Sequence, residues 1–143
     1  MNLATTHWAE PFIGKPYVDG GEGPDSFDCW GLVREIVRIR HAIDLPAHAI
    51  DVRNIAAVTR AIATHPVRAC FALIDAPIDG ALGVLGRARY GSHIGMWCAV
   101  DGGRLLHTVK GSGVVASDLM TLRLYGWSKI EWFYPRIEPA NES

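Results

Sequence analysis

Apolar residues recur with helical spacing in the stretch that follows a glycine-rich loop at residues 20–24. Positions i, i+3, i+4, i+7 and i+8 of this stretch are all apolar, and they are occupied by Cys29, Leu32, Val33, Ile36 and Val37. Charged residues stand off this stripe, so the pattern predicts an amphipathic helix over residues 29–40 with one buried face. Asp28 or Ser26 is placed to cap its first turn.

Other patterns divide the rest of the chain. Helical spacing and capping residues predict three further helices, at residues 3–12, 51–64 and 117–125, the last capped by Ser117. Short apolar or alternating runs predict five strands, at residues 70–74, 81–85, 92–100, 104–109 and 129–134. Asp101, Gly102 and Gly103 form a strong hairpin turn between the third and fourth of these strands. Helices followed by an antiparallel meander predict an α+β fold, in which N-terminal helices pack on an antiparallel β-sheet.

The predicted helix at residues 29–40 begins with a cysteine. The first turn of a helix presents unpaired backbone N–H groups and the positive end of the helix dipole. Both favour a thiolate, so we expect this position to lower the pKa of Cys29 and to make its sulfur a nucleophile. The apolar stripe directs Cys29 towards the buried side of the helix. A base that packs there would be within reach of the sulfur.

Two histidines are candidates for that base. His93 lies farther from the turn than His107, so the two are not directly opposite, but neighbouring strands bring their rings close. Alternation divides the side chains of the first strand between two faces, with His93, Gly95 and Trp97 on one and Ile94, Met96 and Cys98 on the other. If the first helix covers the face of His93, Cys29 and His93 meet. They then supply the thiol and the imidazole that nucleophilic catalysis needs.

Composition narrows the class of protein. With 143 residues, 49% of them hydrophobic, the chain suits one domain, residues 1–143, with a single core. The net charge of −1 shows no excess of basic residues of the kind that binds nucleic acid. No apolar run reaches the roughly 20 residues that a membrane helix needs. The three cysteines include no CxxC pair, which disfavours a disulfide framework. We expect a single reactive thiol, with Cys70 and Cys98 in the core.

Four motifs carry a resemblance to a known family. In chain order they are GKPYVDGG, DSFDCWGLV, GSHIGMW and LLHT, which begin at Gly14, Asp25, Gly91 and Leu105. Over residues 8–134 the sequence resembles the NlpC family of papain-like cell-wall cysteine peptidases. The resemblance implies a papain-like fold and hydrolysis of peptidoglycan stem peptides, typically between a D-γ-glutamyl residue and diaminopimelate or lysine. It implies neither a metal nor another cofactor.

The same resemblance implies roles for individual residues. Cys29 is the expected nucleophile, His93 is the expected general base, and His107 is the polar residue that orients His93. Tyr17 matches the tyrosine that is expected to assist the oxyanion, beside the backbone N–H of Cys29. A zinc site made from Cys29, His93 and His107 is an alternative, but the papain-like assignment explains the same residues better.

The substrate-binding residues implied by the resemblance are Asp28, Trp30 and Ser92. Trp30 departs from the family, which usually has a serine at this position to line the substrate pocket, and so bears on peptide specificity. Residues 79–81 stand loosely for the Pro-Gly-Asp motif that often precedes the histidine strand. Residues 41–77 are longer and more helical than in the family, and we expect a helical insertion there that shapes the groove.

With Trp30 in this motif and its small size, the chain resembles phage or prophage tail-associated members of the family. Residues 1–14 have neither the basic segment nor the apolar core of a secretory signal, which fits that setting. We therefore expect a component of the virion tail, made in the bacterial cytoplasm, that contacts tail proteins and opens the wall from the periplasm or cell wall for DNA entry. One alternative is a structural tail or hub protein in which Trp30 or the insertion covers Cys29. Another is a thiol acyltransferase or amidase with a deep apolar channel.

Overall fold

The structure of the protein, a computed structural model, describes residues 7–45, 70–86 and 92–136. Within these ranges a 3-10 helix at Glu10–Phe12 precedes two α-helices, α1 (Cys29–His41) and α2 (Leu119–Leu124). The strands in the same ranges are β1 (Phe71–Ile74), β2 (Leu82–Gly86), β3 (Ser92–Cys98), β4 (Arg104–Val109), β5 (Gly113–Ser117) and β6 (Lys129–Pro135). Neither α-helix of this described part is long and apolar enough to cross a bilayer.

The strands form one antiparallel sheet in the order β1-β6-β2-β3-β4-β5. Strands β2 to β4 form the predicted meander, and the predicted turn between β3 and β4 has positive φ at Asp101, Gly102 and Gly103. The last strand departs from a meander, because β6 crosses back and pairs with β2 on one side and with β1 on the other. The α+β class with helices packed on an antiparallel sheet is confirmed.

Strand β5 has no counterpart among the predicted elements. Its sequence, GVVAS, is short and begins with glycine, so periodicity does not separate it from a loop. Pairing with β4 defines it, and His107 lies opposite Val115 in this register. Its outer edge is covered by the N-terminal segment, since Gly14 N–H donates to Val114 C=O and Val114 N–H donates to Lys15 C=O.

Helix α1 begins at the predicted residue and buries the predicted face. Its first turn is capped by Asp28, whose carboxylate accepts the N–H of Gly31, and its C-cap is Ala42, which has φ of 57°. All residues of the apolar stripe are buried. They belong to a first core between α1 and one face of the sheet, which includes Ile94, Met96, Cys98 and Leu106.

A second core covers the other face of the sheet. Its buried members include Leu85, Trp97, Leu105, Leu122 of α2, and Trp132. His93 pairs with Leu85, and His107 lies two residues from Leu105 on β4, so both histidines point to this second face. The predicted alternation along β3 is confirmed. However, α1 covers the face opposite His93, so its buried stripe does not lie over that histidine.

The other predicted helices have different outcomes. Residues 51–64, and most of the insertion expected at 41–77, lie outside the described residues, whereas the described residues 71–74 form a strand. The described part of the helix predicted for residues 3–12 contains only the 3-10 helix Glu10–Phe12. The helix predicted for 117–125 is the shorter α2. Its cap is Asp118, whose Oδ1 accepts the N–H of Thr121 at 2.8 Å, and the predicted cap Ser117 belongs to β5 instead.

Asp79 ties the N-terminal segment to the end of β3. Its carboxylate accepts hydrogen bonds from His7 Nε2 at 2.7 Å, Trp8 Nε1 at 2.8 Å and the N–H of Ala99 at 2.7 Å. Burial raises the pKa of Asp79, but the bonds from Ala99, Trp8 and His7 outweigh it and hold the pKa below its usual value. The carboxylate is therefore more stable as an anion in the folded protein than in the unfolded chain.

Replacing Asp79 by alanine is expected to lower the free energy of unfolding by about 1–3 kcal/mol, because three donors, two of them partly buried, lose an ionised acceptor. Since the folded-state pKa is depressed, this stabilisation is present above the unfolded-state pKa and is lost as the pH falls through the folded-state pKa. Urea unfolding followed by tryptophan fluorescence, at neutral and at acidic pH, measures both effects. Asp75→Ala is the control, because Asp75 is exposed in the same connection. Equal stability of the two variants at neutral pH would contradict the anchoring role.

Candidate active site

The loop before α1 is held against the first turn of the helix by main-chain hydrogen bonds. The N–H of Phe27 donates to Pro16 C=O, and the N–H of Val18 donates to Phe27 C=O. The N–H of Asp28 donates to Gly21 C=O. The side chain of Phe27 is buried in the first core and anchors the loop there. The loop therefore has a defined position relative to the start of α1.

Asp28 is fully buried and joins the loop to the helix. One carboxylate oxygen accepts the N–H of Gly31 at 2.6 Å, and the other accepts the N–H of Gly20 at 2.9 Å. The first bond satisfies a helix N–H that has no partner within the helix. This burial does not fit the substrate contact expected for Asp28. Its observed place is that of the helix cap that positions the next residue, Cys29.

Glycine at position 31 allows the loop to approach the helix. A Cβ at Gly31 would overlap the carbonyl oxygen of Gly21 and would also crowd Asp28 Oδ1. The spacing Asp-Cys-Trp-Gly therefore has a steric reason, because the residue three positions after the cap has to leave room for the loop.

Gly31→Ala is expected to displace the loop and to destabilise the protein by about 1–3 kcal/mol, the usual cost of overpacking, although alanine is the better helix former. Gly86→Ala is the matched control, because a Cβ at Gly86 would lie 4.0 Å from Lys129 Cβ, its nearest neighbour among the described residues. Thermal unfolding followed by circular dichroism compares the two variants. If Gly31→Ala unfolds at the same temperature as Gly86→Ala, the close packing described above is wrong.

Cys29 is the first residue of α1 and is only 7% exposed. Burial raises the pKa of its thiol to about 12, and the Asp28 carboxylate acts in the same direction. Hydrogen bonds from the backbone N–H groups of Trp30 and Cys29 lower the pKa but do not outweigh burial. The expectation that the helix start lowers the pKa of Cys29 is therefore wrong. At neutral pH the sulfur is protonated, and a base has to take its proton when the sulfur reacts.

At a pH of about 8, Cys29 is expected to react with iodoacetamide more slowly than Cys70, because a raised pKa leaves little thiolate at that pH. Its rate is expected to keep rising with pH beyond the value of about 8.5 at which an ordinary thiol is half ionised. Cys70 is exposed, contrary to the core position predicted for it, and serves as the internal control. Mass spectrometry of the two peptides measures both rates. A Cys29 rate that levels off near neutral pH would contradict the raised pKa.

Cys29 and His93 lie towards the same end of β3. At the opposite end, the N–H of Gly80 donates to Trp97 C=O, and Gly80 C=O accepts a hydrogen bond from His41 Nε2 at 2.9 Å. The last residue of α1 is therefore beside the end of β3. Because α1 packs along β3 and β4, its first residue lies towards the beginning of β3.

Two histidines and a serine form a chain of hydrogen bonds on the second face of the sheet. His93 Nε2 lies 2.9 Å from His107 Nδ1, and His107 Nε2 lies 2.9 Å from Ser117 Oγ. His107 is 1% exposed, and burial lowers its pKa to about 4, so it is uncharged at neutral pH. The prediction that neighbouring strands bring the two histidine rings close is confirmed.

Trp127 packs against the ring of His93. The two ring centroids are 5.4 Å apart and the planes are inclined by 20°, which is a stacked arrangement. His107 contacts the same ring edge-on, with centroids 5.1 Å apart. His93 is thereby held between Trp127 and His107, with Nε2 directed to His107. Neither Trp127 nor Ser117 was a candidate from sequence, because the first follows α2 in a loop and the second requires knowledge of β5.

Tyr17 lies near Cys29 on the loop that precedes α1. Its hydroxyl donates to Asp19 Oδ1 at 2.7 Å. Burial raises the pKa of Tyr17, and the charges of Asp19 and of an ionised Cys29 raise it further. Lys110 Nζ lies 5.7 Å from the centroid of the Tyr17 ring. Since Lys110 directly follows β4, this contact places Tyr17 at the end of the sheet where β4 ends and β3 begins.

Residues 14–129 match the NlpC/P60 family. The chain belongs to the NlpC/P60 family. A similar solved structure is the crystal structure of the NlpC/p60 domain of the peptidoglycan hydrolase SagA, with a TM-score of 0.55 and 21% sequence identity over 90% of this chain and 92% of that chain. No protein with a curated description matches the sequence. The predicted family and fold are thus confirmed, and the NlpC/P60 chain is a hydrolase of the cysteine-peptidase class.

Trp30 and Ser92 were the other expected substrate-binding residues of this NlpC/P60 chain. Trp30 is 3% exposed and packs in the first core, so it does not line an open groove. Ser92 is the first residue of β3, and its side chain lies outside the described part of the structure. Among residues 7–45, 70–86 and 92–136, no three acidic, histidine or cysteine side chains are grouped as metal ligands. The zinc alternative therefore gains no support from these residues.

Proposed function

We propose that this NlpC/P60 chain hydrolyses peptidoglycan stem peptides by thiol catalysis, at the amide between a D-γ-glutamyl residue and a diamino acid. The observation that carries the proposal is the 2.9 Å pairing of His93 with His107 at the end of β3 towards which α1 directs Cys29. A thiol, an imidazole and a group that orients the imidazole are the parts that this chemistry requires. SagA, a similar protein of known structure, is named a peptidoglycan hydrolase, which supports the same class of substrate.

The proposed acylation starts from a neutral thiol. Cys29 Sγ attacks the carbonyl carbon of the scissile amide while His93 takes the thiol proton. Because the pKa of Cys29 is raised to about 12, this proton transfer accompanies the attack. The backbone N–H of Cys29 and the hydroxyl of Tyr17 are the proposed donors to the oxyanion, and for this the Tyr17 hydroxyl has to turn away from Asp19 Oδ1, its acceptor in the structure. The protonated His93 then gives its proton to the leaving amine, the C–N bond breaks, and a thioester is formed.

The proposed deacylation uses the same base. His93 removes a proton from water, the water oxygen attacks the thioester carbonyl, and the C–S bond breaks. The proton on His93 returns to the sulfur, so the cycle ends with a neutral thiol and a neutral imidazole. His107, whose pKa of about 4 keeps it uncharged, orients His93 and does not itself exchange a proton with the substrate.

The proposed setting is the tip of a phage or prophage tail, where the chain opens the wall for DNA entry. It is supported by the resemblance of the Asp-Cys-Trp-Gly motif around Trp30 to tail-associated members of the family. In this setting the chain is made in the cytoplasm, contacts other tail proteins and acts in the periplasm or cell wall. Mass spectrometry of purified virions tests this setting. A chain recovered with the host wall and absent from virions would contradict it.

A structural tail or hub protein is the second candidate. It is favoured by the low exposure of Cys29, at 7%, and by the burial of the adjacent Trp30 at 3%. In such a protein the sulfur is covered and does not meet a substrate. The two candidates differ in whether Cys29 can be reached from solvent and in whether stem peptides are cut.

Incubation with purified peptidoglycan distinguishes the two candidates. The wild-type protein is expected to release stem-peptide fragments, whose masses identify the bond, and Cys29→Ala is expected to release none, because it lacks the nucleophile. Cys70→Ser is the matched cysteine control and is expected to act at the wild-type rate, since Cys70 is exposed and directly precedes β1, which is separated from β3 in the sheet by β6 and β2.

Two results would contradict the peptidase proposal in different ways. Release by Cys29→Ala would show that another residue is the nucleophile. No release by the wild type, together with a Cys29 thiol that resists alkylation even at high pH, would favour the structural protein.

A further inference from the structure

We propose that Ser117 is a positioning residue for His93, whose hydroxyl oxygen accepts the Nε2–H of His107 and thereby fixes the tautomers of both histidines. The inference rests on the proposed function, because it names the group that keeps the base ready for the thiol proton. Its starting point is two contacts of 2.9 Å, one from His93 Nε2 to His107 Nδ1 and one from His107 Nε2 to Ser117 Oγ.

This chain of hydrogen bonds has two possible directions, because a neutral imidazole has one N–H donor and one acceptor nitrogen. In the first direction, His93 Nε2–H donates to His107 Nδ1, and His107 Nε2–H donates to Ser117 Oγ. In the second, Ser117 O–H donates to His107 Nε2, and His107 Nδ1–H donates to His93 Nε2. Only the first direction leaves the lone pair on His93 Nδ1, where it can take a proton from the thiol.

The protonated state of His93 requires the first direction. Once His93 has taken the thiol proton, both of its nitrogens are donors, and its Nε2–H needs an acceptor at His107 Nδ1. Because burial keeps His107 uncharged, with a pKa of about 4, it has a single ring proton, which then has to be on Nε2. Ser117 Oγ lies at that nitrogen. A serine hydroxyl has two acceptor lone pairs and can receive this bond.

The position of Ser117 is fixed by the sheet. Ser117 pairs with Leu105 in the β4–β5 register, and His107 lies two residues along β4, so the two side chains are diagonal neighbours on one face. Ser117 is 7% exposed and His107 is 1% exposed, so water has little access to the contact. Because Ser117 touches His107 and not the reacting atoms, it acts through the base.

Long-range proton–nitrogen correlation spectra of the imidazole rings test the inference at neutral pH. In the wild-type protein, His107 and His93 are both expected to carry their ring proton on Nε2. In Ser117→Ala, both are expected to shift towards the Nδ1–H tautomer, because the acceptor at His107 Nε2 is lost. Ser117→Thr retains a hydroxyl, suits a strand and is expected to restore the wild-type tautomers. Ser112→Ala removes an exposed serine in the β4–β5 turn and is the control without effect.

The rate of stem-peptide release gives a second readout. In Ser117→Ala, kcat is expected to fall by about 10- to 100-fold with little change in KM, by analogy with the loss seen when a partner that orients a metal-binding histidine is removed. Ser117→Thr is expected to recover most of this loss. Unchanged tautomers in Ser117→Ala, or a loss confined to KM, would overturn the inference.

The wild-type spectrum tests the predicted His107 tautomer even if Ser117→Ala does not fold. A wild-type His107 that carries its proton on Nδ1 would overturn the inference without any variant. A wild-type protein with the Nε2–H tautomer and no hydrolysis of peptidoglycan would reject the proposed function and still support the hydrogen-bond direction assigned here. The failure of one is thus distinguishable from the failure of the other.

Discussion

The buried carboxylate of Asp28 is the contact on which the site depends. It accepts the N–H of Gly20 from the loop and the N–H of Gly31 from α1, and so it joins the two parts that surround Cys29. The same negative charge acts together with burial to raise the pKa of the adjacent thiol. The contact that positions the sulfur therefore opposes its ionisation. In the proposed mechanism this conflict is resolved by His93, which takes the proton only as the sulfur reacts.

The sheet separates the nucleophile from the base over most of its area. Helix α1 packs on one face of the sheet, and the hydrogen-bonded side chains of His93, His107 and Ser117 lie on the other. Among the described residues, pairing between β3 and β4 runs only from Cys98 to Met96 on β3, so the two strands part before His93. The site is therefore located at an end of the sheet, where the strands diverge and the loop of Tyr17 approaches. A site at a sheet end can draw on groups from both faces.

Elements with local signals could be predicted from sequence. The stripe of α1 and the turn at residues 101–103 follow from spacing and from glycine, and together they led to Cys29, His93 and His107. Strand β5 could not be predicted, because its existence depends on pairing with β4. For that reason the local sequence favours Ser117 as the helix cap, whereas the cap in the structure is Asp118. The sign of the Cys29 pKa shift also depends on distant residues. The effect of the helix start on the thiol is visible in the local sequence, whereas burial by the rest of the fold is not, and burial is the larger effect.

The segment at Gly14 and Lys15, which leads to the glycine-rich loop, also covers an edge of the sheet. It lies along β5, where Gly14 and Lys15 exchange main-chain hydrogen bonds with Val114, and a Cβ at Gly113 would overlap the carbonyl oxygen of Lys15. An uncovered strand edge is a template for strands from other molecules. By placing its own chain there, the protein protects the sheet edge nearest its histidines from intermolecular pairing. Resistance to aggregation and placement of the loop before Cys29 thus depend on the same few hydrogen bonds.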